Sequence, residues 1–442
     1  MIENEHTLIL GWDDQRIVEI LKELVMANES EDNPSEVILA DKDKEEMDDY
    51  LTLILPDTQN TRVVTRSGSP SPLTNLKIAA VDKCRSVIVL GTAKDSSNSD
   101  AKAMSDAKVI KTIMAIASVR DGEDDLGVVA EIFDGQRRSI IEENCPFQIS
   151  VVDSADILAK IMVQTSRSVG LSTVYSELLS FDGCEMYFYG NDAWAGKTLG
   201  ALAFHFPDGV PMVIKTASGD LVLRPDNDRV MAADDEILIV VDDDSIIDYW
   251  PKPVATPQFG LEIPLLRLEQ KVENELFIGW NPKGKIMVSE YAEYVTKGST
   301  VDIITPNATS ETVAEFEDLN AELDSLELRL IEANPLEIEN LAALHPETRD
   351  NIILLSEAGE DADAEEVDSQ TVMILLLLRR IFREAAEKSG ETSRNSQLIT
   401  EVMDSSNQAL VSSAGVKDFI ISDRFISMLL AQMSEEPEIK RV

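Results

Sequence analysis

Aromatic residues are scarce in this chain: 5% of 442 residues, within a hydrophobic share of 44%. A core built from it is therefore mostly aliphatic, and the length allows two or three domains. Cysteine is scarcer still. Cys84, Cys145 and Cys184 stand far apart, which excludes a disulfide framework and a zinc-type spacing and suits a reducing cytoplasm. No apolar run reaches the roughly 18 residues that a membrane-spanning helix needs. The longest, residues 372–378, closes on Arg379 and Arg380 and reads as a buried helix with a possible packing surface for another subunit. The start, with Glu3 and Glu5 leading into a strand-like run, lacks the basic-then-apolar order of a secretory leader. Positive charge is the largest deficit: 39 Lys and Arg face 82 Asp and Glu, for a net charge of −43. Nucleic acid is a poor partner for such a surface, because phosphates need cations to replace their counterions. The acidity fits a solvated surface in a salty cell interior, or divalent-cation binding by carboxylates. Histidines are few, and His6, His205 and His345 have no partners at metal or triad spacing. With no Walker loop and no Gly-x-Ser-x-Gly, no enzyme chemistry is expected.

What is present is alternation. Strand-like runs at 7–12, 37–40, 62–65, 86–90, 128–132 and 147–151 are separated by helical patterns at 13–28, 47–55, 72–80, 100–119, 137–143 and 153–166. Short connections between such elements predict a parallel sheet with helices on both faces. Helical residues are expected to continue to about 181. A different texture follows, with strands at 185–189, 212–215, 221–223 and 236–241 joined by Gly-, Asp- and Pro-rich turns, as in a small α+β lobe. Pro251, Pro253 and Pro257 then mark a stiff linker.

Beyond the linker the first pattern returns. Trp12 matches Trp280, Leu90 matches Leu355, Glu131 matches Glu401 and Asp153 matches Asp423, at offsets of 268, 265, 270 and 270 residues. Ordered matches at a nearly constant offset indicate a repeat. The fold class is therefore α/β: two Rossmann-like parallel-sheet lobes with a small α+β lobe between them. The expected divisions are 1–170, 171–250, a linker at 251–275, and 276–442. The second copy ends before a counterpart of the small lobe, so the chain is expected to be a piece of something longer.

A dinucleotide site needs glycines in the first strand-to-helix turn so that backbone can approach a pyrophosphate. Here that turn reads Gly11-Trp12-Asp13-Asp14-Gln15-Arg16, with acids where phosphate would sit; the second copy keeps Gly279 and Gly284 around Asn281. The nucleotide site reads as eroded, and Asp41, where a ribose-binding acid would stand, reads as a helix cap. Acids gather past the carboxyl ends of strands, where such sheets bind ligands. They are Asp95 and Asp100; Glu131 and Asp134; Asp242, Asp243 and Asp244; Glu360, Asp361 and Asp363; and Glu401 and Asp404. Clustered loop carboxylates suit a hard cation. None fits an EF-hand, and for each cluster a solvated loop or helix cap competes. The helix over 157–163 would be a dimer contact if its apolar face were exposed.

The segments His6-Thr7-Leu8-Ile9-Leu10-Gly11-Trp12, Asp41-Lys42-Asp43-Lys44-Glu45-Glu46-Met47, Arg66-Ser67-Gly68-Ser69-Pro70, Ser86-Val87-Ile88-Val89-Leu90 and Ile399-Thr400-Glu401-Val402-Met403-Asp404 resemble the soluble region of the Castor and Pollux ion channels. These are plant nuclear-envelope cation channels of symbiotic calcium signalling with microbial relatives, and the acidity here suits a microbial one. The resemblance implies a membrane pore followed by two tandem RCK domains (regulators of K⁺ conductance), with four subunits forming a gating ring on the cytoplasmic side that calcium rearranges. It implies Ca²⁺ as the ligand, a homotetramer in the full channel, and a pore absent from this chain; it assigns no calcium ligand residue by residue. A nucleotide-binding regulatory subunit of a K⁺ channel or transporter is the alternative, and an NAD-dependent oxidoreductase lacks a catalytic constellation.

Overall fold

The computed structural model describes residues 3–93, 99–120, 126–145, 147, 149–242, 246–255, 271–357, 364–389, 396–414, 416 and 418–435. In the first lobe strands and helices alternate: β1 (Thr7–Leu10), α1 (Asp14–Ala27), β2 (Ser35–Ala40), α2 (Lys44–Ile54), β3 (Arg62–Ser67), α3 (Leu73–Ile78), β4 (Ser86–Val89), α4 (Ser99–Arg120), β5 (Gly127–Ile132), α5 (Gln136–Asn144), β6 (Ile149–Asp153) and α6 (Ser154–Arg167). The strands pair in parallel in the order β3-β2-β1-β4-β5-β6. β1 and β4 are buried along their whole length, as strands covered on both faces must be. Helix α1 forms because Asp13 caps its first turn and Ile17, Ile20, Leu21 and Leu24 fall on one buried face. The cap of α2 is Asp43, whose carboxylate accepts from Glu45 N–H and Glu46 N–H, so the cap expected at Asp41 lies two residues later. The expected continuous helix to 181 is also interrupted: α6 ends at Arg167, and α7 (Leu171–Leu179) starts after Gly170 in a left-handed conformation.

The small sheet is antiparallel. β7 (Glu185–Gly190), β8 (Val210–Lys215), β9 (Leu221–Val222) and β10 (Glu236–Val241), with the short α8 (Leu199–Leu202), pair in the order β7-β10-β8-β9 around a core that includes Trp194. The second parallel sheet repeats the first: β11 (Asn274–Ile278), α9 (Pro282–Tyr294), β12 (Ser299–Thr305), α10 (Ser310–Glu322), β13 (Leu326–Glu332), α11 (Ile338–Ala343), β14 (Asn351–Leu354), α12 (Ala364–Ser389), β15 (Gln397–Val402), α13 (Gln408–Ser413), β16 (Asp418–Ile421) and α14 (Ser422–Glu435). Its order is β13-β12-β11-β14-β15-β16. In α12, Val367, Leu375 and Leu378 are buried, while Met373 and Leu376 remain about half exposed.

The last helix of each lobe covers the other lobe. α6 packs along α9 and against β14, β15 and β16; α14 packs along α1 and against β4, β5 and β6. The apolar face of α6 is thus satisfied within one chain, and the condition for reading it as a dimer contact is not met. One hydrophobic core runs through the joint, from Ile9 and Ile88 of the first sheet to Phe277 and Ile353 of the second. Polar contacts pin the ends of the exchanged helices. Arg167, at the end of α6, makes two hydrogen bonds to Glu273 at 2.8 and 3.2 Å, and Ser166 bonds the hydroxyl of Tyr291. Glu435, at the end of α14, accepts from Arg85 at 2.7 Å. Helix α7 lies against β16 and α14, and Asp418 accepts from Gly170 N–H at 3.0 Å and Ser172 Oγ at 2.8 Å.

Next to the Arg85–Glu435 contact, Glu36 is buried with Asn28 Nδ2 donating to it at 2.9 Å. Burial pushes its carboxyl up to about 8, opposed by the Asn28 bond and reinforced by Glu435. A raised folded-state value means the native state holds the extra proton. The associated stability is complete below the ordinary carboxyl range and is lost as pH rises through about 8. Glu36→Gln should therefore flatten the decline, gaining on the order of a few kcal/mol over wild type near pH 9 and little near pH 4, in urea melts across that range.

Candidate functional site

In each lobe a cation from the first helix reaches a carboxylate at the end of the fifth strand. Arg16, in the first turn of α1, pairs with Glu131 of β5, and both are buried. Gly91 N–H also donates to Glu131, at 3.3 Å. Burial opposes the charge on Arg16, but Glu131 and then Asp423 outweigh it and hold the guanidinium above its ordinary pKa. Asp423 stands 3.4 Å away on α14, so this cation also touches the opposite lobe. In the second copy Lys283 of α9 pairs with Glu401 of β15, again with both buried. Ser356 Oγ donates to Glu401 at 2.8 Å, and Ser422 Oγ completes its shell. Buried charges paired in this way rigidify a site, although Arg16 Nε and Nη1 are left without hydrogen-bond partners. These pairs occupy the strand ends where a pyrophosphate lies in a nucleotide-binding fold.

The neighbouring space is filled as well. Trp12 packs edge-on to Tyr50 of α2 at 5.9 Å, and the Lys42 ammonium sits 4.9 Å from the Trp12 ring and 2.8 Å from Asp14. Trp280 packs on Phe316 of α10 at 4.6 Å. Gly11 and Gly279 have φ of +116° and +91°, and a side chain at either would press on Leu90 or Leu355. A Cβ on Gly284 would meet the Trp280 ring at 2.6 Å, so that glycine makes room for an indole.

The acids singled out from the sequence are dispersed. Asp95, Asp243, Asp244, Glu360, Asp361 and Asp363 lie outside the described residues. Asp100 is exposed in the first turn of α4. Asp134 lies 3.3 Å from Arg137, and Asp404 accepts from Ser406 N–H at 2.8 Å. Asp242 is exposed, 3.7 Å from the Cys184 sulfur. Two unforeseen acids organise the strand ends: Asp106 accepts from Phe133 and Asp134 N–H, and Asp368 from Met403 and Asp404 N–H. Burial raises both carboxyls, opposed by those bonds. Among the described residues, no three His, Cys, Asp or Glu side chains converge as a metal site. His6 is buried and bonded to the Ala79 carbonyl, and His205 is bonded to the Trp250 carbonyl.

Carboxylates of the first-lobe side do face the second lobe across the joint. A cleft of about 450 Å³ is bounded by Glu19, Lys22, Glu23, Asp57 and Asp182 on the first-lobe side and by Ser405, Gln408 and Arg424 on the other, with Lys22 paired to Glu19 at 2.9 Å. Glu23 is buried, accepts from Ser180 Oγ at 3.1 Å and Phe181 N–H at 2.8 Å, and is raised by desolvation despite those bonds.

Two family models match successive parts of the chain: the calcium-activated potassium channel slowpoke-like RCK domain at residues 3–164, and the Castor and Pollux part of a voltage-gated ion channel at residues 155–254. The probable ion channel CASTOR of Oryza sativa subsp. japonica is 28% identical over 100% of this chain and 51% of its own length. The probable ion channel POLLUX of Arabidopsis thaliana is 28% identical over 100% of this chain and 56% of its own. Over its whole length the chain is similar to the Castor and Pollux ion channels. It spans about half the length of the curated relatives it matches. The human SLO3 gating ring superposes with a TM-score of 0.63 at 13% identity, over 98% of this chain and 82% of that one, a likeness of fold. No described helix is long and apolar enough to cross a membrane.

Arg16 and Lys283 were recognisable only through the repeat: they stand 267 residues apart, within a few positions of the common offset, inside turns read chiefly for their glycines. Removing one member of a buried pair strands the other charge. Arg16→Met alone should cost about 3–5 kcal/mol. Arg16→Met combined with Glu131→Gln should recover a large part of that, as urea unfolding of the two variants would report.

Proposed function

We propose that this chain is the ligand-sensing part of a cation channel's gating ring, and that it passes calcium binding on to a pore outside the chain. The observation that carries this reading is the acidic cleft across the joint of two interlocked lobes. A ligand held by groups from both lobes changes their arrangement, and only to the extent that it binds one arrangement better than the other. The donor chemistry fits a hard cation: carboxylates of Glu19, Glu23, Asp57 and Asp182, with neutral oxygens of Ser180 and Ser405 nearby. The carboxylates line one side of the cleft and Ser405 and Gln408 the other, so a cation held by both would draw the lobes together and displace Arg424. The strand-end acids Asp100, Asp134, Asp242 and Asp404 are the competing ligands. In the full channel we place four such subunits in a ring on the cytoplasmic side of the membrane, each attached to its own pore domain.

Calorimetric titration with calcium in high KCl, with magnesium present, tests the reading. Saturable heat is expected. Glu23→Gln combined with Asp182→Asn should weaken binding at least about tenfold, the loss of roughly 1.4 kcal/mol. Asp100→Asn with Asp242→Asn should leave it unchanged. The reverse pattern would move the site to the strand ends, and absence of heat from the folded wild-type chain would contradict calcium sensing by this module.

A further inference from the structure

A second cavity, of about 360 Å³, lies away from the cleft at a junction of all three lobes. The first lobe contributes β6 and α6, the small lobe contributes Met186 of β7, and the second lobe contributes Leu429 and Met433 of the exchanged α14. Ile157 and Leu179 complete the apolar walls. The volume is within the range of small-molecule sites, and two methionines give the wall an adaptable shape. Its polar groups are Arg138, Asp153 and Asp156. Arg138 is engaged by Glu142 at 3.0 Å and Asp156 by Lys160 at 2.9 Å. Asp153 accepts from Asp156 N–H at 3.1 Å and has no ion-pair partner among the described residues. Its other oxygen leans over Gly135, where a Cβ would meet it at 2.4 Å.

We propose that this cavity binds a small amphipathic monocation, with its apolar body between Ile157, Leu179, Met186, Leu429 and Met433 and its ammonium on Asp153. At the polar end an anion would find two carboxylates beside one guanidinium, that of Arg138, already engaged by Glu142, in the field of a chain with net charge −43, which concentrates cations at the same place. Because the walls come from three lobes, the occupant bears on the joint without sharing a residue with the acidic cleft. The site is independent of the calcium reading.

Calorimetry with hexylammonium, hexanol and hexanoate on the same chain tests it. Hexylammonium should bind at least about tenfold tighter than hexanoate, and from butyl- to hexylammonium affinity should rise about fourfold per methylene. Asp153→Asn should reduce hexylammonium binding about tenfold and leave hexanol binding unchanged, since one charge is lost without loss of volume. Leu429→Trp should abolish binding of all three. If that variant fails to fold, Met186→Trp on the small-lobe wall should do the same. Equal affinity for ammonium and carboxylate, tighter binding of hexanoate, or wild-type hexylammonium binding by the folded tryptophan variants would overturn the proposal.

Discussion

The exchange of α6 and α14 between the two parallel sheets is the constraint on which the rest of the structure depends. Each sheet lacks part of its own cover and receives it from the other copy. Apolar burial is the main favourable term in folding, and here much of it belongs to one core shared by both sheets. The ends of the exchanged helices are fixed by specific pairs, Arg167 with Glu273 and Arg85 with Glu435, which set the orientation that the apolar contact alone would leave loose. A shift of one lobe must therefore repack a helix of the other. This is a discrete event, suited to a switch, because packed interfaces do not deform continuously.

Within each lobe the strand ends carry an internal polar lock. Arg16 with Glu131 and Lys283 with Glu401 put charge of both signs where a nucleotide fold leaves open backbone. Trp12 and Trp280 fill the adjacent space. Space bounded by both lobes is left at their joint, in the acidic cleft and in the apolar cavity beside Asp153. Both of these spaces that a ligand could enter thus lie between lobes and not within one.

The fold was legible because its signals are local. Period-two and period-3.6 apolar patterns placed the strands and helices of the first lobe within a few residues, and the repeat of Leu8 to Trp12 at Leu276 to Trp280 revealed the second sheet. The helix pattern at 153–166 showed an apolar face but not what covers it, since the partner, α9, begins more than a hundred residues later. Acids close together in sequence were a poor guide to site geometry. Glu131 and Asp134 are three residues apart, yet one is locked to Arg16 and the other lies beside Arg137. The cleft carboxylates Glu23, Asp57 and Asp182 are far apart in sequence and meet only through the fold. Asp41 and Asp43 were indistinguishable as caps until backbone geometry chose the second.

The central claim, that each lobe is completed by the other, is tested most directly by comparing urea unfolding of the whole chain with that of residues 1–255 alone. The truncated chain keeps its first sheet but loses α14 and leaves the α9-facing side of α6 bare. The account predicts one cooperative transition for both parallel-sheet lobes of the whole chain, and for the truncated chain a broad, non-cooperative transition or self-association through the exposed face. A monomeric truncated chain that unfolds cooperatively at the same urea concentration as the whole protein would contradict it.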